Sequence, residues 1–200
     1  MSTTIWITVI FIVLLAAVFL PRVGLLAVYK AYRIAQEREQ VEDALKHLLD
    51  REQQGRHASP ESLAGTLNLN RANVMRLIEN METQGLIESR GSELYLTTDG
   101  ERWALHVVRA HRLWERYLTD EARMPLEKVH TEAHRREHTI SDAQLDEMDA
   151  AMGFPTRDPH GDPIPSREGT LPKVEGMPLT AYQAEAPARI VHLEEEHDLA

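Results

Sequence analysis

"SPESLAGTLNLNRANVMRLIENMETQGLIESRGSELYLT", Ser59 to Thr97, decides the fold. Ser59 is an N-cap type and Pro60 suits the first helical position, so a short helix opens here. Asn68-Leu69-Asn70 reads as a turn. In the helix that follows, Val74, Leu77, Ile78 and Met81 recur at three- and four-residue spacing, and Gly85 ends it. "LIESRGSELYLT" then reads as two short strands about Arg90-Gly91. With a helix before it, this order is that of a winged helix-turn-helix, whose second motif helix enters the DNA major groove by its first residues. Asn70, Arg71, Asn73 and Arg76 lie on the face away from the apolar stripe and are the expected DNA contacts. A winged helix used for protein contacts is the alternative.

The preceding helix is "QVEDALKHLLDREQQG", with Val41, Ala44, Leu45, Leu48 and Leu49 on one side and Gly55 as its stop. Further upstream, Ile5 to Leu20 carries no charge, and apolar character resumes after Pro21-Arg22. A bilayer core asks for ~20 apolar residues, with ~17 as the lower limit, so the flanks must extend this run. Arg22, Lys30, Arg33 and Arg38 all follow it, which by the positive-inside rule puts the remainder in the cytoplasm. The expectation is a single-pass membrane anchor over 1–30 with the soluble part cytoplasmic. A buried core helix is the alternative.

Downstream, "LTTDGERWALHVVRAHRLWERYL" predicts a helix capped by Thr98 or Asp99 and running to about Thr119. His111 and Glu115, four apart, share a face of it. Next comes "EKVHTEAHRREHTISD", with His130, His134 and His138 at steps of four and Glu137 between the last two. At about 100° per residue, His138 lies ~80° from His130. Such a stripe suits a metal site, a catalytic site or a solvated polar face. Ser141 then caps a further helix ended by Gly153. His134-Arg-Arg-Glu137-His138 also spells H-x-x-E-H, a zinc protease signature, but 200 residues leave no room for a large peptidase scaffold beside a winged helix. An enzyme is not expected.

Composition narrows the chemistry. Cysteine is absent, so any metal site must use nitrogen and oxygen donors. The net charge of −10 sits in the C-terminal part: residues 139–200 carry a net −9 and residues 1–138 only −1. A local basic surface on the first part therefore remains compatible with DNA.

Thr98-Asp99-Gly100, "RAHRLWERYL", "KVHTEAHRREHTISD" and "DPHGDPIP" resemble the diphtheria-toxin-repressor and manganese-transport-regulator family of metal-dependent repressors. The resemblance covers roughly Glu42 to Pro165. It implies metal bound between the first helix of the DNA-binding domain and the dimerisation helices. By position, one site would use Asp43, His134, Glu137 and His138, and the other His111, Glu115 and His130. Asp43 falls where the manganese regulators have Asp. His134 falls where the iron regulators have Cys and the manganese regulators Glu. Lys46 falls where the manganese regulators place a second carboxylate, which argues against their dinuclear arrangement.

The expected protein is mainly α. A transmembrane helix (1–30) precedes a winged helix-turn-helix (31–100), a helical metal-binding and dimerisation domain (101–165), and a linker with a partial SH3-like segment (166–200). That last segment includes one strand, Ala188 to Leu193; His192 and His197 read as part of a solvated acidic tail, with metal binding as the alternative. The expected function is a membrane-anchored regulator of metal-ion homeostasis. It would bind a palindromic operator in double-stranded DNA as a homodimer, with Mn2+ or Fe2+ as corepressor, Zn2+ or Co2+ also fitting. The alternative is a membrane-tethered metal sensor that gates a transporter without binding DNA.

Overall fold

The structure, a computed structural model, describes residues 3–172 and positions 181, 182, 187 and 190. The chain divides into two compact units, Met1–Val41 and Glu42–Ala200. The first holds α1, Thr3–Phe19, and the opening turns of α2, Leu25–Gln53.

Here the expected membrane anchor fails. α1 is 17 residues long. At 1.5 Å per residue it reaches about 26 Å, short of the ~30 Å hydrocarbon core. It cannot be extended, because the chain leaves the helix at Leu20 and Arg22 takes a positive φ of 79°. When helix resumes at Leu25, Lys30 and Arg33 soon follow. Among the described residues no helix is long and apolar enough to cross a membrane. The single-pass localisation, which rested on that span, is withdrawn with it.

In the second unit, α2 ends at Gln53 and Gly55 turns the chain at φ 70°. Ser59 and Ser62 form a capping box at the start of α3, Pro60–Thr66, with Pro60 as first helical residue. Asn70 caps α4, Arg71–Thr83, by accepting the Asn73 N–H at 3.0 Å. α4 buries Val74, Leu77, Ile78 and Met81. β1, Ile87–Arg90, and β2, Glu93–Leu96, pair antiparallel with Ile87 opposite Leu96. Leu94 N–H also donates to Ala58 O at 2.8 Å, fastening the hairpin to the stretch before α3. Glu52 of α2 accepts the Leu96 N–H at 2.9 Å, and His47 bonds Ser62 at 3.1 Å, so α2 is tied to both wing and motif.

α5 runs Thr98–Asp120, capped by Thr97, whose hydroxyl accepts the Gly100 N–H. Gly100 is required here: a Cβ would meet the Leu86 carbonyl oxygen at 1.9 Å. α6 spans Leu126–Glu137 and α7 Asp142–Ala151. Leu118, Val129 and Ala133 join α5 to α6, with Trp114 and Met124 against them. Ala110, Leu113, Leu145 and Ile164 join α5, α7 and the loop that follows. The expected strand at 188–193, apart from Ile190, and His192 and His197 lie outside the described residues.

Candidate metal centre

Among the described residues, three ligand-type clusters stand on the packed helices and the loop after α7. The first joins Asp43 of α2 to His134, Glu137 and His138 at the end of α6, with one ligand atom from each lying within 4.8 Å of the others. His138 is the C-cap of α6, and its ring meets Glu42 and Asp43 of α2. His138 Nε2 is 3.3 Å from Glu137 Oε1 and 3.5 Å from Asp43 Oδ1. His134 Nδ1 is 3.1 Å from Glu137 Oε1 and 3.9 Å from Asp43 Oδ1. His138 Nε2 is buried and no hydrogen bond satisfies it. Its other nitrogen, Nδ1, lies 2.6 Å from the buried Glu42 carboxylate, which also accepts from Trp103 Nε1 at 3.2 Å. A carboxylate behind one imidazole nitrogen, with the other aimed at two carboxylates, is the outer support that metal-bound histidines use. The site therefore fits a divalent ion held by nitrogen and oxygen donors.

Protein cations already offset part of the charge of this cluster. Burial would push the Glu137 carboxyl up. The hydrogen bonds from His111 and His134 and the Lys46 charge outweigh that, holding it well below the usual carboxylate range. Lys46 Nζ donates to Glu137 Oε1 at 2.7 Å. Burial would likewise lower the His138 imidazole, but the Asp43, Glu42 and Glu137 carboxylates push it up to about 10.

This has a measurable consequence. A ligating His138 must give up its Nε2 proton, so metal uptake at this site releases a proton. Affinity for Mn2+ should rise about tenfold per pH unit between pH 7 and 9, with one proton released per ion in weakly buffered titrations. The metal-free protein responds in the opposite sense. The folded pKa lies above the unfolded ~6.5, so this stabilisation is complete below ~6.5 and is lost as pH rises through about 10. A flat affinity over that range would remove the imidazolium from the account.

The second cluster is His111 and Glu115 of α5 with His130 of α6. His111 Nε2 is 3.0 Å from Glu115 Oε1 and 3.1 Å from His130 Nδ1, which is itself 3.2 Å from the same oxygen. His111 and Glu115 are buried, whereas His130 is largely open to solvent. His111 Nδ1 bonds Glu137 Oε2, so one imidazole links the two clusters. The histidines at steps of four thus serve different clusters: His130 faces α5, and His134 and His138 face α2.

The third cluster adds Asp158 and His160 to Glu115. His160 Nδ1 is 4.0 Å from Glu115 Oε2, the oxygen opposite the one that His111 and His130 face. The loop is rigidly built. Asp158 Oδ1 accepts the N–H groups of His160 and Asp162 at 2.9 and 2.8 Å, Arg112 donates to Pro163 O at 2.6 Å, and Ile164 is buried. Burial, with the Glu115 and Asp162 charges, pushes the Asp158 carboxyl up to about 6. Sequence reading singled out "DPHGDPIP" without giving Asp158 or His160 a ligand role, and it gave Glu42 none. The Asp-Pro-His spacing was the available signal for the loop; nothing local marks Glu42.

All seven sequence-nominated ligands fall in the first two clusters. Of the nominated DNA contacts, Asn70 is the α4 cap, Arg71 and Arg76 are exposed, and Asn73 is half-buried with its side chain bonded to Arg76.

Residues 97–166 match the family described as iron dependent repressor, metal binding and dimerisation domain. The iron-dependent repressor IdeR of Mycobacterium leprae is 35% identical over 152 residues, which is 76% of this chain and 63% of that protein. The diphtheria toxin repressor of Corynebacterium efficiens is 34% identical over 122 residues, 60% of this chain and 53% of the relative. The chain thus spans less than two thirds of the length of these curated relatives. Among solved structures, a manganese-dependent transcriptional repressor in complex with manganese is similar at 34% identity and a TM-score of 0.62, covering 70% of this chain and 66% of that one. ScaR with bound Zn2+ is similar at 27% identity and a TM-score of 0.59, covering 66% and 61%. The two curated relatives and the manganese-bound structure are named as repressors, a non-enzyme family.

Proposed function

We propose that this chain, whose matches support membership of the diphtheria toxin repressor and IdeR family of metal-dependent regulators, is a DNA-binding repressor that senses Mn2+ or Fe2+. The observation that carries the reading is Asp43. It stands on α2, which is bonded to the helix-turn-helix and the wing, yet its carboxylate faces His134 and His138 of α6. When bound, a divalent ion supplies the positive charge that draws these carboxylates and imidazoles onto one centre.

Asp43, His134, Glu137 and His138 would hold the first ion. His111, Glu115 and His130 would hold the second, with Asp158 and His160 as further donors beside Glu115. Closing α2 onto α6 fixes the orientation of α4 relative to the dimer helices, and so selects among relative placements of two reading heads. Asn70, Arg71, Asn73 and Arg76 would meet bases and phosphates at the start of α4. A homodimer would set two such helices about one turn of DNA apart, which suits a palindromic operator. Residues 31–100 would be the reading part and 101–165 the metal-binding and dimerisation part.

The test is electrophoretic. Duplexes selected by the protein from random DNA in Mn2+ should be retained with Mn2+ or Fe2+ and released by chelator, with affinity falling steeply as salt rises. Retention that ignores the chelator would remove metal sensing. No retention of any duplex at low salt with metal present would remove DNA reading.

A further inference from the structure

Glu137 Oε1 is the atom on which the first cluster converges. His134 Nδ1 lies 3.1 Å from it, His138 Nε2 3.3 Å and Lys46 Nζ 2.7 Å, so the lysine is the nearest of the three. The Glu137 side chain is fully buried, and a buried carboxylate needs a cation beside it. Lys46 supplies one from α2, one helical turn beyond Asp43. Unlike His111, which is held between Glu137 and Glu115 in the interior, the Lys46 side chain keeps 23% of its surface in solvent. It can swing outward into solvent when an entering ion takes over the charge of Glu137. Asp50, exposed and four residues further along α2, offers it a surface partner.

We infer that Lys46 is a built-in counter-cation of the metal centre, a residue that occupies the ion's place on Glu137, is displaced when the ion enters, and thereby sets the affinity of the site. The inference rests on the metal-sensing reading above and deepens it. A bound divalent ion and a fixed ammonium repel each other when both stand on one carboxylate oxygen. Metal entry must therefore break the Lys46–Glu137 pair or bear that repulsion, and either effect weakens binding. In the metal-free centre the same pair offsets part of the mutual repulsion of Glu42, Asp43 and Glu137. Lys46 is a positioning residue and not a ligand, since an ammonium has no lone pair to donate.

The test compares the full chain with Lys46→Leu and Lys46→Arg. Leucine brings no donor atom, so tighter binding could not come from new coordination; arginine keeps the charge. Isothermal titration with MnCl2 should show Lys46→Leu binding roughly tenfold to a hundredfold more tightly than the parent, the range expected for removing one charged hydrogen bond. Lys46→Arg should stay near the parent. Thermal melts give a second readout that does not depend on DNA. Metal-free Lys46→Leu should melt below the parent, and added Mn2+ should raise its melting temperature by more than it raises the parent's. If Lys46→Leu does not fold, Lys46→Ala takes its place. Unchanged or weaker Mn2+ binding in the charge-free variant, with the parent still binding, overturns the lysine's role and leaves metal sensing intact. A parent that binds no Mn2+ overturns both.

Discussion

Glu137→Gln will weaken Mn2+ binding by more than about a hundredfold, on the order of 3 kcal/mol. The change is nearly isosteric, so the loss reports charge and ligation and not volume. Glu137 Oε1 is shared by His134, His138 and Lys46, and Oε2 bonds His111. One substitution therefore removes a ligand from the first cluster and the outer-shell carboxylate behind His111 in the second. A neutral amide cannot oppose the charges gathered there, and an unmatched buried amide has its own cost. Both ions should be affected, so metal content after desalting should fall at both clusters, and duplex retention with it. An affinity within tenfold of the parent would mean that the ions, if bound, are held elsewhere.

Asp43→Ala should separate binding from switching. His134, Glu137 and His138 all belong to the end of α6 and remain, so Mn2+ affinity should fall about tenfold to a hundredfold and not vanish. DNA affinity, by contrast, should lose its dependence on Mn2+, because the carboxylate that faces His134 and His138 from α2 is gone. The coupling free energy between metal and DNA, typically ~1–3 kcal/mol in such systems, should drop toward zero. Paired titrations measure it: Mn2+ affinity with and without a selected duplex, and duplex affinity with and without Mn2+. By reciprocity the two ratios must agree, and in Asp43→Ala both should approach one. A variant that still needs metal to hold DNA would place the switch in His111, Glu115 and His130, and the α2–α6 closure would have to be abandoned.

The two variants probe different levels of the site. Glu137 is a hub whose partners all come from elsewhere in the chain or from the next turn of α6. Asp43 links α2, which is bonded to the helix-turn-helix and the wing, to the end of α6. Spacing along the chain gives neither role; only the family resemblance nominates both residues as ligands. Glu137 looks like any helical acid between two histidines, and Asp43 sits beside Glu42, a neighbour of the same charge. The structure gives these adjacent acids different work. Asp43 turns its carboxylate to His134 and the open Nε2 of His138, whereas Glu42 is buried behind the same ring and bonds Nδ1 and Trp103.

Much of the helical frame was legible without coordinates because it is written in short-range chemistry. Ser59 and Ser141 as caps, Gly55, Gly85 and Gly153 at positive φ, and the stripe of Val74, Leu77, Ile78 and Met81 all act within a few residues of themselves. The cap of α5 is Thr97, one residue before Thr98 and two before Asp99, because its hydroxyl accepts Gly100 N–H and donates to Gly85 O at 2.6 Å, across from the preceding turn. The N-terminal run showed the limit of composition. Its apolar character was plain, but the break at Leu20 and the left-handed Arg22 shortened the helix below what a bilayer needs.

By itself, then, the order of residues determined the caps, the helical faces and the donor types, since these depend on spacing along one element and on the absence of cysteine. Only the tertiary structure decided which histidine meets which carboxylate, that Lys46 lies on Glu137 across 91 positions, and that Asp158 and His160 approach Glu115 from a loop. Helical periodicity places side chains on a face but says nothing of what that face meets. The packing of Leu118 on Val129 and Ala133, and of Ile164 on Leu113, brings α5, α6 and the loop to distances at which charge and lone pairs act.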